Sequence, residues 1–385
     1  MSKKDYAKLS IEAHKKSRGK ISIESKMPLE TKDDLSIAYT PGVAKPCEEI
    51  ALDKEKAYEY TSKGNMVAVV SDGTAVLGLG DIGPEAALPV MEGKAVLFKK
   101  FARVDAVPIV LDTTDTEEIV RTVKNIAPGF GGINLEDISA PRCFEIERRL
   151  KEELSIPVFH DDQHGTAIVT LAGMYNAMKL TGKKLEDLYV VVNGAGAAGV
   201  AIVNLLFEAG VRDVVMCDSR GVLHKDRTDL NATKQDMVKI TNKGQRTGTL
   251  KDAISGADVF IGVSVPGVLT REMVKTMNKD PMIFAMANPT PEIMPDEAKE
   301  AGASIIATGR SDFPNQLNNV LVFPGLFRGA LDARVSNLTT KMYITAAKAI
   351  ADCVEKVSVD MIIPSPFDER VPGRVADAIR GKKNR

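Results

Sequence analysis

Two short apolar segments of the sequence are each followed by a pair of acidic residues. The four acids are Glu136, Asp137, Asp161 and Asp162. Because the carboxyl ends of parallel strands meet at one edge of a sheet, we expect these carboxylates to lie close together. Crowded carboxylates repel one another unless a proton or a cation holds them, and oxygen ligands suit Mg²⁺ or Mn²⁺. The sequence therefore predicts a divalent-cation site, with simple capping of the following helices as the alternative.

A glycine-rich turn is a second candidate site. Residues 188–192 predict a strand and residues 200–208 a helix, with the pattern Gly-x-Gly-x-x-Gly between them. The residues of this turn are Gly194, Ala195, Gly196, Ala197, Ala198 and Gly199. Glycines in this context permit a tight turn, let the backbone approach a pyrophosphate and let the helix pack on the strand. The turn predicts a dinucleotide-binding domain.

The end of the next predicted strand bears on the choice of cofactor. Asp218 ends that strand, which is the position where an acid holds the ribose hydroxyls of NAD. Arg220 follows shortly after it and suits the 2′-phosphate of NADP. The sequence leaves NAD and NADP open.

Nine short apolar segments are the elements expected to position these residues. They are rich in β-branched residues and too short for helices. The segments are 66–70, 107–111, 132–135, 156–159, 189–192, 214–217, 259–263, 283–287 and 305–307. Continuous apolar strands are buried on both faces, which indicates parallel sheets covered by helices. We predict a two-domain α/β protein, with residues 1–165 as the first domain and residues 166–385 as a Rossmann-type NAD(P)-binding domain with C-terminal helices.

Helix signals separate the apolar segments. Asp115 and Glu118 have the spacing of a capping box before an amphipathic stretch at 119–126. A second helix is predicted to begin near Gly165 and to end near Gly182. These connections are typical of β-α-β units.

The overall composition argues against other classes of protein. The chain has 385 residues and a formal net charge of −1, which gives no bulk attraction to nucleic acid or to an anionic membrane. No stretch approaches the ~18 consecutive apolar residues of a membrane span, and no apolar run follows the first residues as in a signal peptide. The sequence thus predicts a cytoplasmic protein whose partners are small molecules.

Taken together, these blocks resemble the malic enzyme family in its short microbial form. The matching stretches are 38–44, 77–81, 92–95, 135–137, 160–166, 194–199, 287–290 and 318–325. They span most of the chain in the family's order and are highly specific as a set. The resemblance implies oxidative decarboxylation of malate to pyruvate and CO₂, with NAD or NADP as the oxidant and Mg²⁺ or Mn²⁺ as the metal.

The resemblance also implies roles for individual residues. Tyr39 is the general acid, Lys94 is the general base, and Asp161 orients and tunes that lysine. The metal ligands are Glu136, Asp137 and Asp162. The substrate ligands are Asn288, Asn318 and Asn319. The cofactor ligands are the glycine turn, Asp218, Arg220 and Asn288. Burial is expected to lower the pKa of Lys94, as a base at neutral pH requires.

One position departs from the family pattern. Larger members carry an arginine that holds a malate carboxylate where this chain has Ala75. Asparagines, the metal, backbone donors or another cation must then hold that carboxylate. The resemblance also implies a homodimer. The N-terminal segment around Tyr6, Leu9 and Ile11 is a candidate for part of the contact, with an ordinary surface helix as the alternative.

Three alternative functions stay open from the sequence. A malolactic enzyme would use the same fold, metal and bound NAD but would reduce the pyruvate to lactate. A dehydrogenase without decarboxylation would need no metal and would leave the acidic cluster without a role. A regulatory module would bind the cofactor without turnover.

Overall fold

The computed structural model describes residues 5–381, and within this range the chain folds around two β-sheets. The strands of this range are β1 (Met66–Ser71), β2 (Asp105–Val110), β3 (Gly132–Leu135), β4 (Val158–His160), β5 (Val190–Asn193), β6 (Val214–Asp218), β7 (Gly221–Val222), β8 (Val259–Gly262), β9 (Met282–Ala285) and β10 (Ile305–Thr308). The α-helices are α1 (Tyr6–Ser17), α2 (Lys32–Ala38), α3 (Ala44–Leu52), α4 (Ala57–Tyr60), α5 (Pro84–Ala102), α6 (Thr116–Ile126), α7 (Arg142–Glu153), α8 (Asp161–Thr181), α9 (Ala197–Ala209), α10 (Ala232–Ile240), α11 (Leu250–Ile254), α12 (Arg271–Val274), α13 (Pro295–Glu300), α14 (Phe323–Asp332), α15 (Thr340–Ala351) and α16 (Arg370–Arg380). The predicted α/β class is confirmed.

The first sheet has the order β2-β1-β3-β4 and is parallel throughout. Alternate residues of β1 face opposite sides, and both sides are buried. Val67 and Val69 share a core with Phe98 of α5, whereas Ala68 and Val70 share a core with α6 and α7. This two-sided burial explains why the strand is a continuous apolar segment in the sequence.

The second sheet has the order β10-β9-β8-β5-β6-β7. Its strands are parallel except for β7, which pairs antiparallel with β6. The sheet is therefore mixed at one edge rather than purely parallel. The sequence did not predict β7, because this strand has only two residues and forms no apolar segment. β5 lies between β8 and β6, so the glycine turn at its end is at the point where the strand order reverses. Nucleotides bind at this point in doubly wound sheets.

Helix α8 connects the two sheets. It begins at Asp161 directly after β4 and ends at Gly182, whose positive φ of 68° closes the helix in the left-handed region. Most of its residues are buried, since α9 and α15 both pack against it. The domain limit predicted at 165/166 lies inside this helix and stays a prediction.

The C-terminal helices also contact the first sheet. Phe323 and Phe327 of α14 lie edge-on to Phe98 of α5, with ring centroids 4.8 and 5.4 Å apart. Phe159 in β4 makes a further edge contact with Phe327 at 6.0 Å. Aromatic pairs of this kind contribute ~0.5–1.5 kcal/mol each beyond the area they bury. They bring the segment before α14 to the carboxyl edge of the first sheet.

The nine predicted strands are confirmed to within two residues at either end. The capping box predicted at α6 is only half formed. Asp115 accepts a hydrogen bond from the Glu118 N–H at 2.8 Å, but the Glu118 carboxylate accepts from the Thr113 hydroxyl instead of returning to Asp115. The Thr113 hydroxyl oxygen also accepts a hydrogen bond from the Asp115 N–H. In a complete capping box, this N–H would donate to the Glu118 carboxylate. Among the helices of residues 5–381, none combines the length and the apolar character needed to cross a bilayer.

Residues 5–53, which we call the N-terminal arm, bury little of their surface. Helices α1, α2 and α3 contain no buried residue. The large apolar side chains exposed on the arm are Tyr6, Leu9, Ile11, Ile21, Ile23, Met27, Leu29, Leu35, Ile37, Tyr39 and Leu52. Lys20 anchors the arm to α5, where its backbone N–H binds Glu92 and its ammonium binds the carbonyl of Pro89. Exposed apolar surface of this extent indicates contact with another molecule.

Candidate active site

The acids that follow β3 and β4 meet at the carboxyl edge of the first sheet. The two strands are neighbours, with Leu135 paired to His160, so the residues after each strand start side by side. One oxygen from each of Glu136, Asp137 and Asp162 lies within 4.8 Å of the others. The structure thus brings these three carboxylates together, as a shared cation site requires.

Burial and mutual repulsion disfavour the charged forms of these acids. Burial, together with the charges of Asp162 and Glu136, raises the pKa of Asp137 to about 9. Burial also raises the pKa of Glu136 and of Asp162. The Oδ2 atom of Asp137 is buried and has no hydrogen-bond partner among residues 5–381. A divalent cation would satisfy this oxygen and cancel the repulsion, so the donor set fits Mg²⁺ or Mn²⁺.

Lys94 lies on the buried side of α5 and points to the same cluster. Its Nζ lies 2.5 Å from Oδ2 of Asp161 and 2.8 Å from Oε1 of Glu136. The expectation that the pKa of Lys94 is lowered is wrong. Burial opposes the ammonium charge, but Asp161 and Glu136 outweigh burial and hold the pKa of Lys94 above its ordinary value. The sequence analysis placed Asp161 beside Lys94 but did not anticipate the second carboxylate, Glu136.

Asp161 is held in place from two sides. The side-chain amide of Asn319 donates to the same Asp161 oxygen that accepts from Lys94. A Cβ atom at Gly165 would lie 2.0 Å from the other Asp161 oxygen, so the glycine makes room for the carboxylate. The neighbouring Asn318 uses its carbonyl oxygen to cap the short 3₁₀ turn that follows, at 3.0 Å. The substrate role of Asn318 stays a prediction.

Helix α8 begins four residues earlier than predicted, at Asp161. Asp161 and Asp162 therefore lie in its first turn, where the helix dipole favours negative charge. The N-cap position belongs to His160, whose side chain makes no capping hydrogen bond. The Asp162 side chain accepts instead from the N–H of Asp137 at 2.8 Å. Capping alone thus does not account for the two acids.

A buried acid that the sequence analysis did not single out supports this turn. Glu147 of α7 accepts hydrogen bonds from the His160 N–H at 3.2 Å and from the His164 ring at 2.8 Å. A signal for it exists in the sequence. Glu147 lies on the apolar stripe of α7, between Cys143 and Leu150 at helical spacing, although the helix as a whole is strongly charged.

Arg142, which contacts the glycine-rich segment after β1 (residues 71–83), does not replace the arginine missing at Ala75. Arg142 donates to the Asp72 carboxylate at 2.8 Å and to the hydroxyls of Thr74 and Ser139 at 3.0 Å. These partners occupy the guanidinium, so Arg142 stabilises the loops beside the acidic cluster.

Backbone packing requires two glycines of the glycine turn. Gly194 has a φ of 125°, and a Cβ there would lie 2.5 Å from the carbonyl oxygen of Val263. A Cβ at Gly199 would lie 1.8 Å from the carbonyl oxygen of Gly194. Gly196, the N-cap of α9, has open space where its Cβ would be. The turn therefore leaves a free approach to the helix N-terminus, as a pyrophosphate needs.

The Asp218 carboxylate already has partners within the protein. Arg227 donates to both of its oxygens, at 2.8 and 3.1 Å, and Lys234 donates at 2.6 Å. Burial opposes the charge, but these donors hold the pKa of Asp218 at about 2. The guanidinium of Arg220 pairs with Asp229 at 2.9 Å. The ribose and 2′-phosphate roles of Asp218 and Arg220 stay predictions.

Asn288 lies at the boundary between the two sheets. A Cβ added to Gly78, in the glycine-rich segment after β1, would lie 3.5 Å from Pro289 and 3.7 Å from the carbonyl oxygen of Asn288. The loop after β9 thus faces the loop after β1. The substrate and cofactor roles of Asn288 stay predictions.

Tyr39 is not brought into the cluster. It follows α2 in the N-terminal arm, and its side chain is 67% exposed. Its hydroxyl makes no hydrogen bond with any residue between 5 and 381. The chain by itself therefore does not place this tyrosine beside Lys94.

A Rossmann-type nucleotide-binding sheet next to a carboxylate–lysine cluster defines a dehydrogenase architecture. Residues 18–151 match the family model for the malic enzyme N-terminal domain, and residues 163–369 match that for the malic enzyme NAD-binding domain. The chain belongs to the malic enzyme family.

Individual relatives agree with this assignment. A bifunctional malic/malolactic enzyme of Bacillus subtilis is 61% identical, over 96% of this chain and 91% of that protein. An NAD-dependent malic enzyme of Geobacillus stearothermophilus is also 61% identical, over 94% of this chain and 76% of that protein. The crystal structure of a malic enzyme from Pyrococcus horikoshii superposes with a TM-score of 0.95 at 50% identity, over 98% of this chain and 90% of that one.

Proposed function

We propose that the protein oxidatively decarboxylates (S)-malate to pyruvate and CO₂ with reduction of NAD⁺ or NADP⁺, and that it requires Mg²⁺ or Mn²⁺. The observation that carries the proposal is the convergence of Glu136, Asp137 and Asp162 beside Lys94. In a chain of this family, a cation site next to a dinucleotide domain suits this reaction. The cytoplasmic location stays a prediction from the sequence.

Three carboxylates would hold the cation: Glu136, Asp137 and Asp162. The buried oxygen of Asp137 without a partner supports this assignment. When bound, a divalent cation acts as a Lewis acid that stabilises the negative charge developing on loss of CO₂.

Lys94 would remove the proton of the C2 hydroxyl, and a bound nicotinamide would supply the acceptor for the hydride that leaves C2. Asp161 and Asn319 orient the amine through their shared oxygen contact. Lys94 must be neutral to accept this proton. The charge of Glu136 is one of the causes that raise the pKa of Lys94, so a cation bound to Glu136 would lower that pKa. The β-keto acid then loses CO₂ by breaking its C3–C4 bond, and a proton from Tyr39 to C3 of the enol gives pyruvate.

Substrate recognition is assigned to side-chain amides. Asn288, Asn318 and Asn319 come from the segments that face the acidic cluster, and each carries an NH₂ donor for a carboxylate or carbonyl oxygen. They would replace the arginine absent at Ala75. The pyrophosphate of the cofactor would lie on the glycine turn at the N-terminus of α9.

We propose further that the working form is a homodimer in which each N-terminal arm covers the other chain. The arm exposes a series of apolar side chains, which supports a protein partner rather than solvent. Exposed apolar residues also lie on the segment after β1, whose Ala75 N–H donates to the Asp137 carbonyl: Leu77 and Leu79 are 70% and 66% exposed. An arm seated there would bring Tyr39 to the partner's Lys94 and explain why Tyr39 has no role within its own chain.

A malolactic activity is the second candidate, because the Bacillus subtilis relative carries both activities in its name. The two reactions differ in what accumulates. Oxidative decarboxylation releases reduced cofactor and pyruvate in equal amounts, whereas malolactic turnover releases lactate without net reduced cofactor.

One assay tests the proposed function. Purified protein is incubated with malate and either NAD⁺ or NADP⁺, with Mn²⁺ or with EDTA, and reduced cofactor, pyruvate and lactate are all quantified. The proposal expects pyruvate and reduced cofactor only when metal is present. Turnover that persists in EDTA, or reduced cofactor without pyruvate, would contradict it.

A further inference from the structure

Glu292 is a completely buried acid whose charge is balanced by hydrogen bonds alone. It has 0% exposure, and within the described part of the chain no cation pairs with it. Its Oε1 accepts from the Ser264 N–H at 2.8 Å and from the Ser264 hydroxyl at 3.2 Å. Its Oε2 accepts from the Ala287 N–H at 3.0 Å. A buried carboxylate without a counter-ion is costly, so its presence calls for a specific role.

The partners of Glu292 lie at the carboxyl ends of neighbouring strands. Ser264 follows β8 and Ala287 follows β9, while the Ser264 hydroxyl also accepts from the Asn193 amide at the end of β5, at 2.8 Å. Glu292 thus ties together the three strand ends next to the glycine turn. The fit is specific, because a Cβ at Gly262 would lie 2.4 Å from the Glu292 carboxyl carbon.

The sheet order says which part of a dinucleotide lies over these strand ends. With the pyrophosphate at the glycine turn after β5, the adenosine half extends towards β6 and Asp218. The nicotinamide half then extends to the other side, over β8 and β9. The loop after β9 continues into Asn288, which faces the glycine-rich segment of the first domain. The backbone that Glu292 holds would therefore lie beneath the nicotinamide half of a bound cofactor.

We propose that Glu292 is a positioning residue that fixes Ser264 and the Ala287–Asn288 backbone for the nicotinamide half of the cofactor. This inference rests on the proposed function, since it needs a dinucleotide on the glycine turn. It adds a residue outside the acidic cluster whose loss impairs cofactor binding and hydride transfer but leaves the cation site intact.

The same sheet offers a matched control at its opposite end. Asp258 is also a buried acid, and it accepts from the Tyr189 N–H at 2.8 Å and from Lys183 and Asn278 at 2.7 and 3.1 Å. Asp258 thus connects segments at the amino ends of the strands. The glycine turn lies at the opposite, carboxyl ends. Glu292→Gln and Asp258→Asn each replace one carboxylate oxygen with an NH₂ group that faces a donor.

The experiment compares these two variants with the wild type in the same preparation. Affinities for NAD⁺ and NADP⁺ are measured by calorimetry, and Mn²⁺ affinity is measured by electron paramagnetic resonance. The values of KM and kcat are measured with malate as the substrate. All measurements are made at temperatures where all three proteins are folded. Glu292→Gln is expected to bind the cofactor about tenfold more weakly and to lose kcat, because a buried N–H is left without its acceptor. Its Mn²⁺ affinity is expected to stay within about twofold of wild type. Asp258→Asn is expected to lower the melting temperature while keeping the cofactor affinity.

The outcomes separate this inference from the proposed function. A wild type that binds neither cofactor refutes the proposed function itself. A wild type that binds, with Glu292→Gln binding equally well, or with both variants equally weakened, overturns the positioning role. If Glu292→Gln does not fold, Ser264→Ala serves instead. It removes the hydroxyl that links Asn193 to Glu292, and it must also weaken cofactor binding while sparing Mn²⁺ binding.

Discussion

At the scale of single residues, the function depends on which partners surround a buried charge. A lysine buried alone loses its proton readily, and that was the basis for expecting a neutral Lys94. Two carboxylates from different strand ends reverse this effect in the folded chain. The same pairing holds the amine next to the acidic cluster, where the C2 hydroxyl of a metal-bound hydroxy acid would lie.

Replacement of Lys94 by alanine is expected to lower the chemical rate by ~10²–10⁴, the range typical of losing a general base. Cofactor binding should stay unchanged, because Lys94 belongs to the first domain. The measurement is single-turnover formation of reduced cofactor alongside cofactor affinity. Lys99→Ala is the matched control, since Lys99 lies on the same helix but is 65% exposed and pairs only with Asp105. Near-normal turnover in Lys94→Ala would remove the lysine from its assigned role.

The sequence predicts residues of this site where a local pattern points to them. Glu136 and Asp161 stand directly after apolar strands, so their location at the sheet edge could be predicted. The hydrogen-bond networks of Glu147 and Glu292 could not, because many of their partners are backbone and side-chain groups of other elements, such as His164 and Ser264. The direction of the Lys94 pKa shift was wrong because the prediction considered burial and left out the charge of Glu136.

At the scale of elements, the first turn of α8 determines the site. The helix begins directly after β4 ends. Asp161 and Asp162 are therefore the first two residues of its first turn, at the edge of the sheet. Gly165, one turn later, is the position where a side chain would collide with Asp161. The glycine costs helix stability but keeps the carboxylate in place.

Gly165→Ala is expected to lower kcat/KM by ~10² or more, since a catalytic group displaced by ~1 Å loses about that much. The protein should remain folded, because alanine favours a helix by ~1 kcal/mol over glycine. Gly173→Ala on the same helix is the control. Its Cβ would meet Leu317 and Phe284 at 3.2 Å in the core, so it should change thermal stability rather than activity. Full activity in Gly165→Ala would show that Asp161 need not keep this position.

Strands were more predictable than helix starts for a physical reason. A strand buried on both faces must be apolar throughout, whereas the start of α8 carries the charged residues that the site requires. β7 escaped prediction because two residues carry no periodicity. The early start of α8 was missed because its acids suggested the end of a strand rather than the beginning of a helix.

At the scale of the whole molecule, the isolated chain leaves its site incomplete. Tyr39 lies on the N-terminal arm, whose helices contain no buried residue. The arm exposes apolar residues such as Ile23, which is 99% exposed. The proposed dimer with exchanged arms would account for both observations. It would also make activity depend on association, since neither chain alone would have both Lys94 and Tyr39 at one site.

Mixing two inactive variants tests this exchange. Tyr39→Phe and Lys94→Ala are each expected to be inactive. After co-refolding or subunit exchange, a mixed dimer has one site with an intact lysine and an intact tyrosine from the other chain. Because half of the dimers are mixed and each has one intact site, about a quarter of wild-type activity should return. No recovery in a mixture shown to contain mixed dimers would place Tyr39 in its own chain or outside the mechanism.

The most direct test of the central claim is Mn²⁺ binding measured by electron paramagnetic resonance on wild type and Asp137→Asn. The wild type is predicted to bind one Mn²⁺ per chain at this site. Loss of a residue that only hydrogen-bonds to a metal ligand typically lowers metal affinity by ~10–100-fold, and loss of the ligand Asp137 should lower it by more. Asp112→Asn, at an exposed acid after β2 on the same sheet edge, controls for non-specific binding. Equal Mn²⁺ affinity in wild type and Asp137→Asn would contradict the assignment of the three converging carboxylates as the metal site.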